Sequence, residues 1–140
     1  APFVELLGVM MDETLPHTVG EYGEWGNPHV ESEVKCMAAY CPTYNVRAST
    51  EEYPAVLATS SLSDTRVPYW SVAKWVGKIR SGRGAEEGKS GNLSAGLRSQ
   101  QRPTVLLGDR EANHFGRGGT LGPLVEASIE NAFLIKTTVS

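Results

Sequence analysis

One apolar run, at residues 55–60, constrains the fold of this chain more than any other segment. Pro54 introduces it, and the run passes without interruption from Ala55 into Thr59 and Ser60. An unbroken run of this length is typical of a parallel strand that is covered on both faces. A polar loop follows, and a helix is then predicted from Pro68 to about Arg80. Its apolar face at helical spacing consists of Tyr69, Val72, Ala73, Val76 and Ile79.

The same order of elements occurs a second time along the chain. Residues 103–108 predict another buried strand, and residues 121–136 predict a second helix. The apolar face of that helix comprises Leu121, Leu124, Val125, Ile129, Ala132 and Phe133. Strand, helix, strand and helix in alternation indicate an α/β fold with parallel strands and flanking helices.

The segments before this alternation predict less regular structure. Residues 2–11 fit a buried strand end followed by a turn, and the glycine- and proline-containing residues 12–33 fit a long loop of the kind that often serves a site. Residues 32–40 predict a short helix that ends before Pro42 and carries Val34, Met37 and Ala38 on one face. Cys36 and Cys41 are expected to be small, reduced core residues.

Length and composition narrow the class of protein. A chain of 140 residues suits a single domain over residues 1–140, and a formal net charge of −3 without a dense basic stripe argues against a nucleic-acid partner. No apolar run reaches the roughly 18 residues of a membrane span, and residues 1–11 lack the features of a signal peptide. We therefore expect a cytoplasmic protein without a membrane partner. Residues 81–102, rich in glycine, serine and basic residues, predict a flexible insertion.

Asp64 and His114 are the residues best placed for chemistry. Each lies on the loop that leaves a predicted parallel strand, and ligands of α/β sheets bind outside the carboxyl ends of the strands. An acid followed by a histidine on successive loops is the order found in an α/β-hydrolase triad, where the carboxylate orients the imidazole that carries the proton. The pattern equally fits structural roles, with Asp64 in a capping or Asx turn and His114 in a backbone-bonded turn.

The residues offer neither a nucleophile elbow nor a metal site. Ser94 is excluded, because Gly91 stands three residues before it where the Gly-x-Ser-x-Gly elbow requires two, and because it lies between Asp64 and His114 in sequence. His17 and His29 have no metal-ligand spacing, so we expect exposed loop histidines, no metal and no cofactor.

Two long motifs carry a resemblance to a known family. The first is Gly-Glu-aromatic-x-Glu-Trp-Gly-Asn-Pro at residues 20–28, and the second is Asp-x-x-Val-x-Tyr-Trp-x-x-Ala-Lys-Trp at residues 64–75. Together with residues 2–5, 11–19 and 40–46 they resemble the prolyl oligopeptidase family of serine peptidases, in particular its oligopeptidase B branch. The likeness covers nearly the whole chain apart from residues 81–102.

The resemblance implies the C-terminal portion of an α/β-hydrolase peptidase domain that cleaves short peptides after Lys or Arg. It matches Asp64 and His114 to the family's catalytic aspartate and histidine, and Glu21 and Glu24 to glutamates that bind the basic side chain. The serine nucleophile and a β-propeller would then lie upstream, in the remainder of the same enzyme.

The chain departs from the family's pattern at three places, one of which is the insertion at residues 81–102, immediately before the strand that leads to His114. The family usually has Gly-His-Gly-Gly where this chain has Asn113-His114-Phe115-Gly116, which implies an altered histidine loop. Gly23 stands where the family has a further glutamate, which implies weaker basic specificity.

Two other functions remain open at this point. One is a prolyl- or acylaminoacyl-specific relative, against which Glu21 and Glu24 argue because a carboxylate-lined pocket rejects apolar residues. The other is a non-catalytic fragment or a pseudoenzyme that serves as an interaction module.

Overall fold

The computed structural model describes residues 1–47, 53–87 and 102–138, and its centre is a pair of parallel strands. Strand β1 (Val56–Ser61) pairs in parallel with β2 (Thr104–Asp109), in a register that joins Val56 to Thr104 and Ser61 to Asp109. Helix α4 (Tyr69–Glu87) lies between them in sequence and packs against both. The predicted strands and the order of elements are confirmed, and the architecture is mixed α/β.

Short elements surround this unit. Helices α1 (Leu6–Met10), α2 (Tyr22–Trp25) and α3 (Glu31–Tyr40) precede β1, with a 3-10 turn at Val19–Glu21. A small antiparallel hairpin, β3 (Ala112–Asn113) and β4 (Gly116–Arg117), follows β2, and helix α5 (Gly122–Thr138) ends the described chain. No helix in the described ranges is both long enough and apolar enough to cross a bilayer.

The first hydrophobic cluster lies between α4 and the strands. It contains Val4, Ala58, Val67, Val72 and Val76, with Phe3, Trp75 and Leu106 packed against it. The helical spacing therefore predicted most of the buried face of α4 correctly. Tyr69 is the exception, because at the first residue of the helix its side chain is 47% exposed.

The second cluster corrects the prediction for residues 2–11. The expected strand end is instead helix α1, whose Leu6, Leu7 and Met10 pack in one cluster with Met37 of α3. Cys41 is buried in this cluster, whereas Cys36 is exposed, so only one of the two cysteines is a core residue.

Polar contacts fasten the N-terminal segment to α4. The main-chain oxygen of Val4 accepts hydrogen bonds from the Thr43 backbone N–H (2.9 Å) and hydroxyl (2.6 Å). Lys78 Nζ donates to the Thr43 carbonyl at 2.9 Å, and Lys74 Nζ forms an ion pair with the fully buried Glu5 at 2.8 Å. Residues 4–5 and 43 are thereby held against one side of α4.

Three further predictions are only partly met. Residues 12–33 include the 3-10 turn, α2 and the start of α3 as well as loop. Helix α5 forms where predicted, but Leu121 and Leu124 on its apolar face are 67% and 65% exposed, because the main contact of α5 in the described chain is with β4. Of the predicted insertion at 81–102, residues 81–87 continue α4 and 88–101 lie outside the described residues.

Candidate active site

The carboxyl ends of β1 and β2 lie at the same edge of the parallel pair, and both candidate chemical residues follow them. Asp64 comes three residues after β1, and His114 forms the tip of the β3–β4 hairpin that follows β2. Since parallel strands end together, residues fifty positions apart in sequence meet here.

The side chains of Asp64 and His114 form a direct polar contact. The Nδ1 atom of His114 lies 3.1 Å from each carboxylate oxygen of Asp64. The Asp64 side chain is 1% exposed, while that of His114 is 31% exposed. The imidazole therefore has one nitrogen turned to a buried carboxylate, and its other nitrogen, Nε2, lies on the opposite edge of the ring.

Backbone groups hold the Asp64 carboxylate from its own loop. Its Oδ1 accepts hydrogen bonds from the N–H groups of Arg66 and Val67, both at 2.9 Å. Burial raises the pKa of Asp64, but the N–H groups of Val67 and Arg66 together with His114 outweigh it and hold the pKa below its ordinary value. The carboxylate is consequently ionised at neutral pH and negatively charged toward the imidazole.

The hairpin that presents His114 begins and ends with side chain–backbone bonds. Asn113 Oδ1 accepts the Phe115 N–H at 2.8 Å, and Gly116 turns the chain with a φ of +98°, a conformation that favours glycine. Glu126 of α5 accepts the Arg117 N–H at 2.6 Å, and Arg117 Nε pairs with Asp109 at 3.0 Å. The hairpin is thus tied both to α5 and to the end of β2.

Sequence reasoning missed this support for the hairpin. Glu126 accepts the backbone N–H of Arg117, and Asp109 pairs with the Arg117 side chain. No rule of sequence spacing joins a helix carboxylate to a backbone N–H nine residues earlier. The only available signal was the Asn-His-Phe-Gly order itself, which is typical of a turn.

A cavity of about 290 Å³ opens beside the Asp64–His114 pair. Its walls come from the ends of β1 and β2, the β3–β4 hairpin and one face of α5, and include Thr59, Ser60, Asp64, His114, Phe115, Val125 and Ile129. Among the described residues, no serine, threonine or cysteine hydrogen-bonds to the His114 imidazole. Ser94 lies outside the described residues. The arrangement is suited to accept and return a proton beside a space that is open to another chemical group.

Glu21 and Glu24 do not line this cavity. Glu21 ends the 3-10 turn, is half-buried, and accepts a hydrogen bond from the indole N–H of Trp25 at 3.1 Å. Glu24 is exposed on α2. The structure thus brings Asp64 and His114 together and leaves Glu21 and Glu24 on the separate segment of the 3-10 turn and α2. Trp25 of that segment packs edge-on against the Phe3 ring, with centroids 5.1 Å apart.

The remaining two histidines are exposed, as the spacing indicated. His29 contacts Glu13 at 2.7 Å through its Nε2, and His17 lies on the surface of the same segment. In the part of the chain that the structure describes, no three His, Cys, Asp or Glu side chains are placed to hold a metal ion.

The described chain is thus a mixed α/β domain in which the loops after two parallel strands bring an aspartate to a histidine. The chain belongs to the prolyl oligopeptidase family, whose family model matches residues 1–138. It is 31% identical over 134 residues to Protease 2 of Moraxella lacunata and equally identical over the same length to dipeptidyl aminopeptidase BI of Pseudoxanthomonas mexicana, covering 96% of this chain in both cases. Oligopeptidase B of Leishmania major superposes with a TM-score of 0.77 at 34% identity over 97% of the chain.

The match covers only a small part of each relative. The chain spans 17% of Protease 2, 16% of dipeptidyl aminopeptidase BI and 16% of the Leishmania enzyme. These relatives are thus about six times longer, and the chain corresponds to the C-terminal part of their hydrolase domain.

Proposed function

We propose that this chain is part of a serine-type peptidase that hydrolyses peptide bonds after Lys or Arg, and that it supplies the aspartate and histidine of the catalytic triad. The serine would come from the part of the enzyme that this chain does not include. The 3.1 Å contact between His114 Nδ1 and the buried Asp64 carboxylate carries the proposal. Membership in a family of peptidases supports it.

In this proposal, His114 moves the proton and Asp64 keeps the imidazole in the correct state. A carboxylate at Nδ1 favours the tautomer that carries its proton there, which leaves Nε2 free to accept the proton of a serine hydroxyl. His114 then returns that proton to the leaving amine. Asp64 stabilises the imidazolium that forms between the two transfers, and its lowered pKa keeps it negatively charged throughout.

We further propose that Glu21 and Glu24 contribute to the preference for a basic side chain. A carboxylate beside aromatic rings suits a long cationic side chain, and Glu21 lies against Trp25, whose indole fixes one of its oxygens. Gly23 lies between the two glutamates and offers no third carboxylate, so the preference should be weaker than in a pocket with three.

Short peptides are the substrates that this proposal expects, with no cofactor. The remainder of the enzyme, with the nucleophile segment and a β-propeller, is the expected partner of this chain, and the cytoplasm its expected location.

Substrate profiling of the full-length enzyme tests the proposal. Matched peptides would carry Arg, Lys, Pro or an acylated residue before the scissile bond, and a dipeptidyl substrate is included because one relative is named for that activity. Faster turnover of the Arg and Lys peptides supports the proposal. A preference for Pro or acylated peptides would support the relative with apolar specificity, and no hydrolysis of any substrate would support a non-catalytic interaction module.

Replacing Glu21 tests the specificity part separately. Glu21→Gln should reduce kcat/KM for Arg peptides by about ten- to a thousandfold, because a charge-assisted contact contributes roughly 1.5 to 3 kcal/mol or more when desolvated. Glu24→Gln should have a smaller effect. Glu31→Gln is the matched control, since Glu31 lies on α3 and forms an exposed ion pair with Lys35. Equal kcat/KM for wild type and Glu21→Gln would remove Glu21 from the binding pocket.

A further inference from the structure

Phe115, the residue after His114, has an unusually open environment for an aromatic side chain. It is 83% exposed, which is the largest exposure of any bulky apolar residue in the described ranges. It nevertheless lines the cavity beside the Asp64–His114 pair. Burial of a phenylalanine side chain contributes roughly 1.5 to 3 kcal/mol, so this ring offers a large apolar surface to any group that enters the cavity.

Two ring contacts and one backbone bond fix the position of this side chain. Its ring meets the His114 imidazole edge-on, with centroids 5.3 Å apart and planes at 83°. The guanidinium of Arg66 lies over the same ring at 5.4 Å from its centroid, a cation–π contact. The Phe115 N–H is bonded to Asn113 Oδ1. Phe115 therefore stands in a defined place with most of its surface still open.

The direction of proton transfer in the proposed mechanism indicates which part of the substrate lies next to the exposed face of Phe115. Because Nδ1 of His114 faces Asp64, the proton destined for the leaving amine departs from Nε2 on the other edge of the imidazole. The leaving amine, and the residue that carries it, must come within hydrogen-bonding distance of this edge. Phe115 contacts the same imidazole and lines the same cavity, so it borders the path of the leaving-group residue.

We infer that Phe115 is a specificity-determining residue, which forms an apolar wall for the first residue on the leaving-group side of the scissile bond. This inference rests on the proposed peptidase function. Apolar side chains at that substrate position gain a contact with the ring. Lysine and arginine are disfavoured there, because the Arg66 guanidinium beside the ring repels a second cation.

A series of peptides on the full-length enzyme tests the inference. All share one sequence with Arg before the scissile bond, and they differ only in Leu, Gly or Lys after it. A methyl ester of the same Arg segment has no leaving-group side chain and serves as a reference. The wild type should have a kcat/KM for the Leu peptide about three- to tenfold above that for the Gly peptide, with the Lys peptide lowest.

Two variants separate a contact with substrate from a structural role. Phe115→Ala should bring the Leu-to-Gly ratio close to one while leaving methyl ester hydrolysis within about twofold of the wild type, since that substrate never meets the wall. Phe115→Leu keeps an apolar side chain and should retain most of the preference. Both replace an exposed residue, so neither removes core packing.

Two outcomes would overturn the inference. An unchanged Leu-to-Gly ratio in Phe115→Ala would show that the ring does not contact this part of the substrate. An equal slowing of all substrates, methyl ester included, would show that Phe115 only positions His114 or Arg66. A wild-type enzyme that hydrolyses none of the substrates would instead refute the proposed function itself, and the two failures are distinguished by the wild-type rates.

Discussion

Replacing Asp64 with asparagine should separate its part in chemistry from its part in folding. Oδ1 of Asp64 accepts two backbone N–H groups, whereas Oδ1 and Oδ2 both face the histidine. Asparagine keeps one oxygen for the backbone groups and places an amide N–H toward His114 Nδ1. The imidazole must then accept at Nδ1 and carry its proton on Nε2, which is the wrong tautomer for a general base.

The expected magnitudes follow from these contacts. We predict that Asp64→Asn lowers kcat on the order of 10⁴-fold, which corresponds to about 5.5 kcal/mol of transition-state stabilisation. Asp64→Ala should lower kcat by a similar factor but should also destabilise the fold further, because it leaves the N–H groups of Arg66 and Val67 without their acceptor. Each such buried group costs about 1 to 3 kcal/mol when unsatisfied.

The assay combines kinetics and unfolding on the full-length enzyme. Steady-state hydrolysis of an Arg peptide gives kcat, and urea unfolding ranks wild type, Asp64→Asn and Asp64→Ala. The reasoning predicts both variants nearly inactive, with the alanine variant unfolding at the lowest urea concentration. Asp64→Asn with a kcat within about tenfold of the wild type would refute the tautomer assignment, and equal destabilisation by both substitutions would refute the backbone-acceptor role.

Three further predictions concern contacts that support the fold and the site, each measured by unfolding of the full-length enzyme. Gly116→Ala should destabilise the fold by about 1 to 3 kcal/mol because of the positive φ, and it should also lower kcat. Gly118→Ala, whose added Cβ meets nothing within 4 Å, should leave the stability unchanged. Equal destabilisation by the two substitutions would contradict the strained turn at Gly116. Lys74→Met should lower the free energy of unfolding by about 1 to 3 kcal/mol, since it leaves the buried Glu5 without its cation, and Lys74→Arg should lower it less. Unchanged stability in Lys74→Met would show that this ion pair does not support the fold. Folding lowers the pKa of Asp64, so its ionised carboxylate stabilises the folded wild type at pH values above the ordinary pKa of 3.8. This contribution to the free energy of unfolding should disappear as the pH falls through the lowered pKa. A stability difference between wild type and Asp64→Asn that does not shrink on acidification would contradict this prediction.

The elements with a clear hydrophobic period were predictable from sequence. The strands at 56–61 and 104–109 and the helices from 31 and 122 lie within two residues of the expected ranges. The helix from 69 begins one residue after its expected start but continues to Glu87, well beyond the expected end near Arg80. Helix α1 was not predictable, because a short apolar run at residues 2–11 has the same composition in a strand and in a buried helix. Only its packing on Met37 of α3 decides between them.

The exposure of α5 illustrates a second limit. A repeated apolar pattern tells which face of a helix avoids water, but it does not tell what covers that face. Val125 and Ile129 turn toward the cavity beside His114, while Leu121 and Leu124 remain open. The apolar pattern therefore predicted the position of helix α5 correctly, but within the described residues it did not predict which of the apolar side chains are covered.

The candidate site was predictable only for the residues that strand topology brings together. Asp64 and His114 follow parallel strands, and such strands end at one edge, so their proximity follows from the order of elements. The tie between Glu126 and the hairpin, and the position of Phe115 under Arg66, depend on side-chain directions after a glycine turn. No periodicity encodes those directions.

The central proposal is that this chain supplies the aspartate and the histidine of a peptidase's catalytic triad, and that the remainder of the enzyme supplies the serine. Ester hydrolysis by the purified 140-residue chain and by the full-length enzyme, each with and without His114→Ala, tests it most directly. The account predicts that the isolated chain is inactive and self-associates through the open face of α5, as light scattering would detect. It predicts that the full-length enzyme is active and loses that activity with His114→Ala. A monomeric 140-residue chain that hydrolyses the ester and loses this activity with His114→Ala would contradict the account.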